Sequence, residues 1–205
     1  MKAFRIRRLV FVIVACFALA HAEAGANETK DAKWQSLFNG KDLTGWSPVN
    51  DVTFVVTNGN LRLVEGMGWL RTQRQFSDFI FEAEWRALVP DYDSGFFIRA
   101  GLDGKPWPDG VWQVNLKDSS LGGLVKGMKT VVPAETPRMP IGKWVKFHIE
   151  VHGRKITLDV DGERNWEFNE LDADRGYLGI QAEDRAFEFR NLRLLELSAG
   201  GKPAK

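Results

Sequence analysis

The sequence predicts an all-β fold, a two-sheet antiparallel sandwich, from three observations. About a dozen short segments alternate apolar with polar side chains, which is the period-two pattern of half-buried strands. Asn58-Gly59 and Asp161-Gly162 each join two such segments, and these dipeptides favour tight type I′ hairpin turns. No segment has the periodicity of an amphipathic helix. Short, regularly spaced strands without helices are typical of β-sandwiches.

The first 22 residues have the features of a cleavable signal peptide. Lys2 and three arginines precede an apolar run at residues 9–20, which is shorter than a membrane-spanning helix needs. Ala20-His21-Ala22 then supplies the small residues of a cleavage site. We predict cleavage after Ala22, with Ala24 or Ala26 as alternatives. The mature protein is then periplasmic or secreted, without stable membrane insertion.

The rest of the chain divides into a flexible leader at 23–33, one folded domain at 34–197 and a loose tail at 198–205. Cleavage removes four of the 28 Lys and Arg and none of the 27 Asp and Glu, so the mature formal charge is −3. A slightly acidic chain without a basic cluster argues against nucleic acid as a partner. Cleavage also removes the single cysteine, so the apolar core must hold the exported domain without a disulfide.

The strands of the domain are bounded by Gly, Pro, Asn and Asp, the residues that form turns. Residues 118–142 are rich in glycine and proline and have little periodicity, which predicts a functional or mobile loop. The predicted strands cover residues 53–57, 60–64, 69–73, 81–86, 96–99, 111–117, 144–152, 155–160, 163–168, 176–183 and 186–197.

Two alternating runs on either side of the turn at 90–94 each carry a charge on the polar face. Glu84 lies in the first run and Arg99 in the second. We expect the two runs to form a hairpin, and if they pair, the carboxylate and the guanidinium share one face of a sheet. The alternative is an ordinary surface ion pair, which contributes little stability. Glu82 and Glu84 also have a spacing that suits paired glycosidase carboxylates, but the run lacks the Glu-x-Asp-x-x-Glu pattern of sandwich glucanases.

Two further sets of residues are candidates for ligand binding. His148, Glu150 and His152 share one strand face, but a solvated outer surface explains them better than a metal site does. Trp69 and Trp107 stand on loops or polar faces, where indole rings can stack on the apolar faces of sugars.

Several motifs in a fixed order resemble the 3-keto-disaccharide hydrolase domain family. The similarity covers about residues 34–197. The opening run SLFNGKDLTGW at 36–46 and the closing run FRNL at 189–192 are specific as an ordered set rather than singly. The motifs between them are Leu70-Arg71-Thr72, Asp78-Phe79, Glu84-Trp85-Arg86, Ser94-Gly95-x-Phe97-x-Arg99, Gly142-x-Trp144, Asp161-Gly162 and Gly179-Ile180-Gln181.

The resemblance implies a concanavalin A-like jelly roll whose concave face binds a small carbohydrate or glycoside. It implies that the glycosidic bond of a 3-keto-glycoside is cleaved by removal of the C2 proton, elimination and hydration. Such chemistry needs a base, and a positive group or a divalent metal near the C3 oxygen. Glu84 is the expected base or acid, and Arg99 is expected to hold substrate or stabilise charge. The residues expected to line the same hollow or its rim are Trp69, Arg71, Trp107, Gln113, Asn115, Lys126 and Gln181.

Two positions depart from the family pattern. Members often read Tyr-Glu-Val-Gln where this chain has Trp112-Gln113-Val114-Asn115, and many carry Asp-His where it has Ala182-Glu183. Two hypotheses follow: an exported enzyme acting on 3-keto-glycosides, or a non-catalytic carbohydrate-binding jelly roll. The distinguishing feature is whether Glu84 faces a concave pocket with a second proton-transferring group or is closed off in an ion pair on the convex side.

Overall fold

The computed structural model describes residues 33–198, and within them every regular element is a β-strand. The predicted signal peptide, the leader up to residue 32 and the tail from residue 199 lie outside the described residues. The strands are β1 Gln35–Ser36, β2 Trp46–Thr57, β3 Asn60–Phe76, β4 Phe79–Ala87, β5 Gly95–Ala100, β6 Trp112–Asn115, β7 Leu124–Lys126, β8 Lys129–Val132, β9 Val145–His152, β10 Lys155–Val160, β11 Glu163–Phe168, β12 Gly176–Glu183 and β13 Phe187–Glu196.

Antiparallel pairing links all thirteen strands, and β3 divides them into two sheets. The first sheet has the order β11-β10-β9-β4-β13, and the second has the order β12-β5-β6-β7-β8. The start of β3 pairs with β13 and its later part pairs with β12, while β2 follows β3 along its length and β1 pairs with β13. The predicted all-β antiparallel sandwich is confirmed.

Aromatic side chains fill the space between the two sheets. The Phe96 ring of the second sheet lies 5.3 Å from the ring centroid of Phe81, 6.3 Å from Phe147 and 5.9 Å from Phe189, which all belong to the first sheet. These rings are buried. The alternation of side chains along a strand explains this burial. In β9 every second residue is buried and the residues between them are partly exposed.

Both predicted Asx-Gly hairpins are confirmed. Asn58 and Gly59 have φ angles of 51° and 76° between β2 and β3, and Asp161 and Gly162 have 51° and 91° between β10 and β11. Positive φ at both central residues is the geometry of a type I′ turn.

The structure joins two strands that the sequence predicted separately. Residues 60–64 and 69–73 belong to the single strand β3. Gly66 lies between the part of β3 that pairs with β13 and the part that pairs with β12. Its φ is 108°, and a Cβ atom there would lie 2.2 Å from the Asp51 carbonyl oxygen. A glycine is required where the shared strand passes from one sheet to the other.

Two expectations for the middle of the chain are wrong. Strands β4 and β5 do not pair, because β4 lies between β9 and β13 while β5 lies between β6 and β12 in the other sheet. The segment 118–142 is not wholly a loop, since it contains the hairpin β7–β8. Between residues 33 and 198, no helix is long and apolar enough to cross a membrane.

Candidate functional site

A hollow of about 590 Å³ opens on the outer face of the second sheet. Trp112 and Val114 of β6 and Ile180 of β12 point into the core. The alternation of strand side chains therefore turns Gln113, Asn115 and Gln181 outward, where they line the hollow. Its volume lies within the range of about 300–1,000 Å³ that is usual for small-molecule sites.

Three buried amides form a directed hydrogen-bond chain across the floor of the hollow. Gln113 Nε2 lies within 2.6–3.3 Å of three acceptors, which are Gln181 Oε1, Asn115 Oδ1 and the Ser94 carbonyl oxygen. This end of the Gln113 amide is therefore the donor. Because Gln181 accepts with Oε1, its Nε2 faces the opposite way and donates to Glu183 Oε2 over 2.9 Å. This hydrogen-bond chain fixes the position of the Glu183 carboxyl group.

The neighbouring strand leaves space for this amide chain. Gly95 of β5 stands beside Asn115 in the register, and a Cβ atom on it would lie 2.1 Å from Gln113 Nε2. Real Cβ atoms do not approach other atoms so closely. Gly95 therefore allows the Gln113 side chain to lie flat on the sheet.

Charged groups stand at one end of the hollow. Burial raises the pKa of the Glu183 carboxyl above its ordinary value, and the nearby Asp93 carboxylate raises this pKa further. Lys117 forms an ion pair of 2.6 Å with Asp93, and this hydrogen bond raises the pKa of Lys117, which keeps its ammonium protonated. The hollow thus combines a carboxyl suited to accept or return a proton with a fixed positive charge.

A loop at residues 101–110 forms one wall of the hollow and carries Trp107. The indole N–H of Trp107 donates to the Ala182 carbonyl oxygen over 3.2 Å, and Asn50 Nδ2 donates to the Pro106 carbonyl oxygen over 2.6 Å. Beneath Trp107 lies a small apolar cluster that contains Trp69 and Phe97, whose rings meet edge to face at 5.7 Å.

The structure brings together four of the predicted ligand-binding residues, because Trp107, Gln113, Asn115 and Gln181 all line the hollow. Trp69 and Arg71 share its face of the sheet but do not line it. Trp69 is buried under the loop, and the Arg71 guanidinium lies 4.4 Å from the centre of the Tyr177 ring.

Lys126 does not point into the hollow. It pairs with Trp112 in the register, so it shares the opposite face, where its ammonium lies 5.0 Å from the Trp112 ring centre and forms an ion pair with Asp172. Val125, its neighbour in the chain, lines the hollow instead. The expected role of Lys126 is corrected because strand alternation puts adjacent residues on opposite faces.

The structure places Glu84 in the other sheet, away from the hollow. Its carboxylate accepts hydrogen bonds from Arg190 Nε at 2.7 Å and Asn191 Nδ2 at 2.6 Å on the outer surface of the first sheet. Partial burial acts to raise the pKa of Glu84, but these two donors outweigh it and lower the pKa overall. Glu84 borders a separate hollow of about 540 Å³, but its carboxylate is held by two donors and has a lowered pKa, which makes it a poor general base. The expected role of Glu84 is therefore corrected.

Arg99 is likewise a structural residue, with its side chain only 1% exposed. Its guanidinium donates to the carbonyl oxygens of Ser77, Gly153 and Ala173 over 2.6–2.7 Å and forms an ion pair of 2.8 Å with Asp78. These bonds join three loops at one end of the sandwich. The positive φ of 48° at Arg99 turns the side chain into this position. Arg99 therefore cannot contact a ligand in the hollow.

The side chains of the hollow do not fit a divalent metal. Among residues 33–198, no three His, Cys, Asp or Glu side chains are grouped so that they could hold an ion. Of the two carboxylates at the polar end, Asp93 already binds the Lys117 ammonium. His148, which the sequence suggested as a weak metal candidate, lies 3.0 Å from Glu82 on the first sheet.

Glu183 is the residue that the sequence interpretation missed. It stands where many family members carry a histidine, and a carboxylate can also transfer a proton. The signal was available, because Glu183 stands two residues after Gln181 in the same strand and must share its face.

Known structures share this architecture. A candidate glycosyl hydrolase from Parabacteroides distasonis is 20% identical, with a TM-score of 0.67 over 80% of this chain and 94% of that one. A carbohydrate-binding module from Bacillus subtilis is 17% identical, with a TM-score of 0.63 over 72% and 93%. The kappa-carrageenase from Pseudoalteromonas carrageenovora is 14% identical, with a TM-score of 0.57 over 84% and 98%. At these identities the similarity shows the fold alone.

No curated protein matches the chain. The model of one family, described as the 3-keto-alpha-glucoside-1,2-lyase-like domain, matches residues 33–195. This range contains all thirteen strands except the last residue of β13. Most of the chain is thus covered, in agreement with the order of motifs from Ser36 to Leu192. The chain belongs to the 3-keto-alpha-glucoside-1,2-lyase-like domain family.

Proposed function

We propose that this protein is a carbohydrate-active enzyme that cleaves the glycosidic bond of 3-keto-glycosides, with Glu183 as the proton-transferring residue. The observation that carries the proposal is the Glu183 carboxyl itself. It has a raised pKa, it is held by Gln181 at one oxygen, and it stands in an amide-lined hollow beside a protonated lysine. The family description names a 1,2-lyase, and elimination across C1 and C2 needs such a base.

The reaction begins with the C2 proton, which the neighbouring C3 ketone makes acidic. The ionised Glu183 carboxylate takes this proton, and the electron pair of the C2–H bond forms an enolate with the C3 oxygen. The enolate then re-forms the C3 ketone and expels the glycosidic oxygen from C1, so that the sugar becomes an enone. The departing oxygen takes up a proton. Water adds to C1 of the enone and gives the free 3-keto-sugar.

The remaining groups of the hollow support these steps. The Lys117 ammonium, held by Asp93, supplies positive charge for the enolate oxygen or a proton for the leaving oxygen. The Ser120 hydroxyl accepts a hydrogen bond of 2.8 Å from Asn115 Nδ2, so its own proton is available to a sugar hydroxyl. The Trp107 wall offers an apolar face against which a ring of the substrate can pack.

A second candidate is carbohydrate binding without cleavage. It is favoured by one observation, which is that all four predicted residues gathered in the hollow are neutral amides or an indole. Such groups recognise hydroxyls and sugar faces without chemistry. The two functions differ in whether Glu183 is required for bond cleavage.

We also propose that the enzyme acts outside the cytoplasm. The proposal is supported by the basic head, the apolar run at residues 9–20 and the small residues that end at Ala22. N-terminal sequencing of the protein recovered from the cell envelope or the medium tests it. A mature chain that begins at residue 23 is expected, and a chain that retains residues 1–22 would contradict export by cleavage.

The test of the function is product formation from a 3-keto-disaccharide by the wild type, Glu183→Gln and the control Glu84→Gln, each with and without added divalent metal. We expect Glu183→Gln to lower the rate by about 10²–10⁴-fold, which is the usual contribution of a general base. Glu84→Gln should keep its activity, because Glu84 is in the other sheet.

The outcomes separate the candidates. Turnover that survives Glu183→Gln would remove Glu183 from the mechanism while leaving an enzyme. No turnover by the wild type of 3-keto-glycosides with either a sugar or an aromatic aglycone, together with saturable binding of the sugar in calorimetry, would establish the binding module instead.

A further inference from the structure

The strand register makes the hollow polar at one end and apolar at the other. Asn115 pairs with Gly95 at the end where Lys117 and Asp93 stand. Gln113 lies two residues before Asn115 in β6 and stands between Phe97 of β5 and Val125 of β7. At the far end, Val111 accepts a backbone hydrogen bond of 2.8 Å from Gly127. The change in polarity therefore follows the strand axis.

The apolar end has a floor and two walls. Val111 and Val125 form the floor, the 106–108 segment of the loop forms one wall, and Met128 at the tip of the β7–β8 hairpin lines the remaining side. Met128 is 93% exposed, which is unusual for a large apolar side chain at the mouth of a cavity. The polar side chains at this end, Lys105, Asp109 and Thr130, are exposed.

The loop wall is held in position by contacts within the protein. Besides the bonds from Asn50 and Trp107, the Asp109 N–H donates to the Asp103 carbonyl oxygen over 2.7 Å. A wall fixed before binding lowers the entropic cost of taking up a ligand. Met128, by contrast, is unbranched and free to adapt to the shape of its occupant.

We propose that the apolar end is a subsite for a planar apolar aglycone of the glycoside whose sugar occupies the polar end. The placement of the sugar rests on the proposed function. From Asn115 to Val111 the strand advances about 14 Å, which gives room for a sugar ring followed by an aromatic ring. A second sugar fits less well, because hydroxyls over the valine floor would lose water without gaining partners, and the polar side chains at this end are exposed rather than directed onto that floor.

The test compares benzyl with methyl glucosides, since both release a primary alkoxide and differ only in the apolar ring. Binding of the unoxidised glucosides is measured by calorimetry, and kcat/KM is measured for their 3-keto derivatives. We expect the benzyl compounds to be favoured at least about tenfold in both measurements, since a single methylene in an apolar pocket is already worth about tenfold or more.

Met128→Ser and the near-isosteric Val125→Thr are the test variants, and Ile141→Ser is the control. Ile141 is also exposed, at 45%, but lies outside the hollow. We expect each test variant to lower the benzyl preference by about threefold or more while the control keeps it. Thermal melts of all variants establish that they are folded.

The two proposals fail in different ways. Cleavage of both 3-keto-glucosides with equal kcat/KM, and equal binding, would overturn the aglycone subsite and leave the proposed function intact. A benzyl preference in binding that the two variants reduce, without any turnover, would support the subsite and overturn the enzymatic function. A benzyl preference unchanged in Met128→Ser and Val125→Thr would also overturn the subsite.

Discussion

Replacing Arg99 by methionine should strongly destabilise the fold without affecting the hollow. The buried guanidinium makes four hydrogen bonds of 2.6–2.8 Å, three to loop carbonyls and one to Asp78. Methionine keeps the apolar stem but removes every donor. It leaves the Asp78 carboxylate, whose side chain is 16% exposed, without its guanidinium partner.

The size of the effect follows from this geometry. Removing one partner of a buried ion pair costs about 3–5 kcal/mol. Counting four charge-assisted bonds at about 1.5–3 kcal/mol each would give more, but Gly153 is exposed and water can replace part of what is lost. Stability changes of about 3–5 kcal/mol lower the melting temperature of a domain of this size by roughly 6–20 °C.

The assay is urea unfolding of the wild type, Arg99→Met and the control Arg164→Met, followed by tryptophan fluorescence. Arg164 pairs with Asp159 but is half-exposed, so its loss should cost at most about 1 kcal/mol. If Arg99→Met unfolds within about 1 kcal/mol of the wild type, the assignment of Arg99 as the residue that joins the loops is refuted. If it is stable but loses glycoside binding, Arg99 has the ligand-binding role that the sequence suggested.

Three other perturbations test the electrostatics and packing. Because the pKa of Glu183 is raised in the folded state, the wild type should lose stability as the pH rises above about 4.5, the ordinary value, and through the folded pKa. Glu183→Gln should lack this loss and melt at a higher temperature at neutral pH; equal pH profiles of melting temperature would contradict it. Glu82 shows the reverse case. Burial opposes its ionisation, but hydrogen bonds from Lys146, His148 and Arg193 lower its pKa to about 2, so its contribution is present above about 4.5 and lost as the pH falls towards 2. The stability difference between wild type and Glu82→Gln should therefore shrink in acid, and a constant difference would count against the pairing. Gly95→Ala should reduce the free energy of glycoside binding more than it reduces the free energy of unfolding, because the new methyl displaces the Gln113 amide. Unchanged affinity in calorimetry would show that the amide chain is dispensable.

Local sequence patterns predicted where the strands and turns lie better than they predicted which strands pair. The period-two alternation located β9 and β12, and the Asx-Gly dipeptides located two hairpins, because turns and strand faces depend on neighbouring residues. The pairing of β4 with β5 was wrong because nothing local reports that the turn at 90–94 carries the chain from one sheet to the other. The separate strands assigned on either side of Gly66 were wrong for a similar reason, since a glycine ends a strand in one context and bends it in another.

The same division holds for the site. The sequence by itself determined the all-β class, the family and the outward direction of Gln113, Asn115 and Gln181, since each depends on the order or the alternation of residues. Only the tertiary structure decided which charges meet. It placed Glu84 against Arg190 in the first sheet, buried Arg99 among loop carbonyls and brought Glu183 beside Asp93 at the mouth of the hollow. The physical reason is that a pKa depends on burial and on charges distant in the chain, which alternation along one strand does not report.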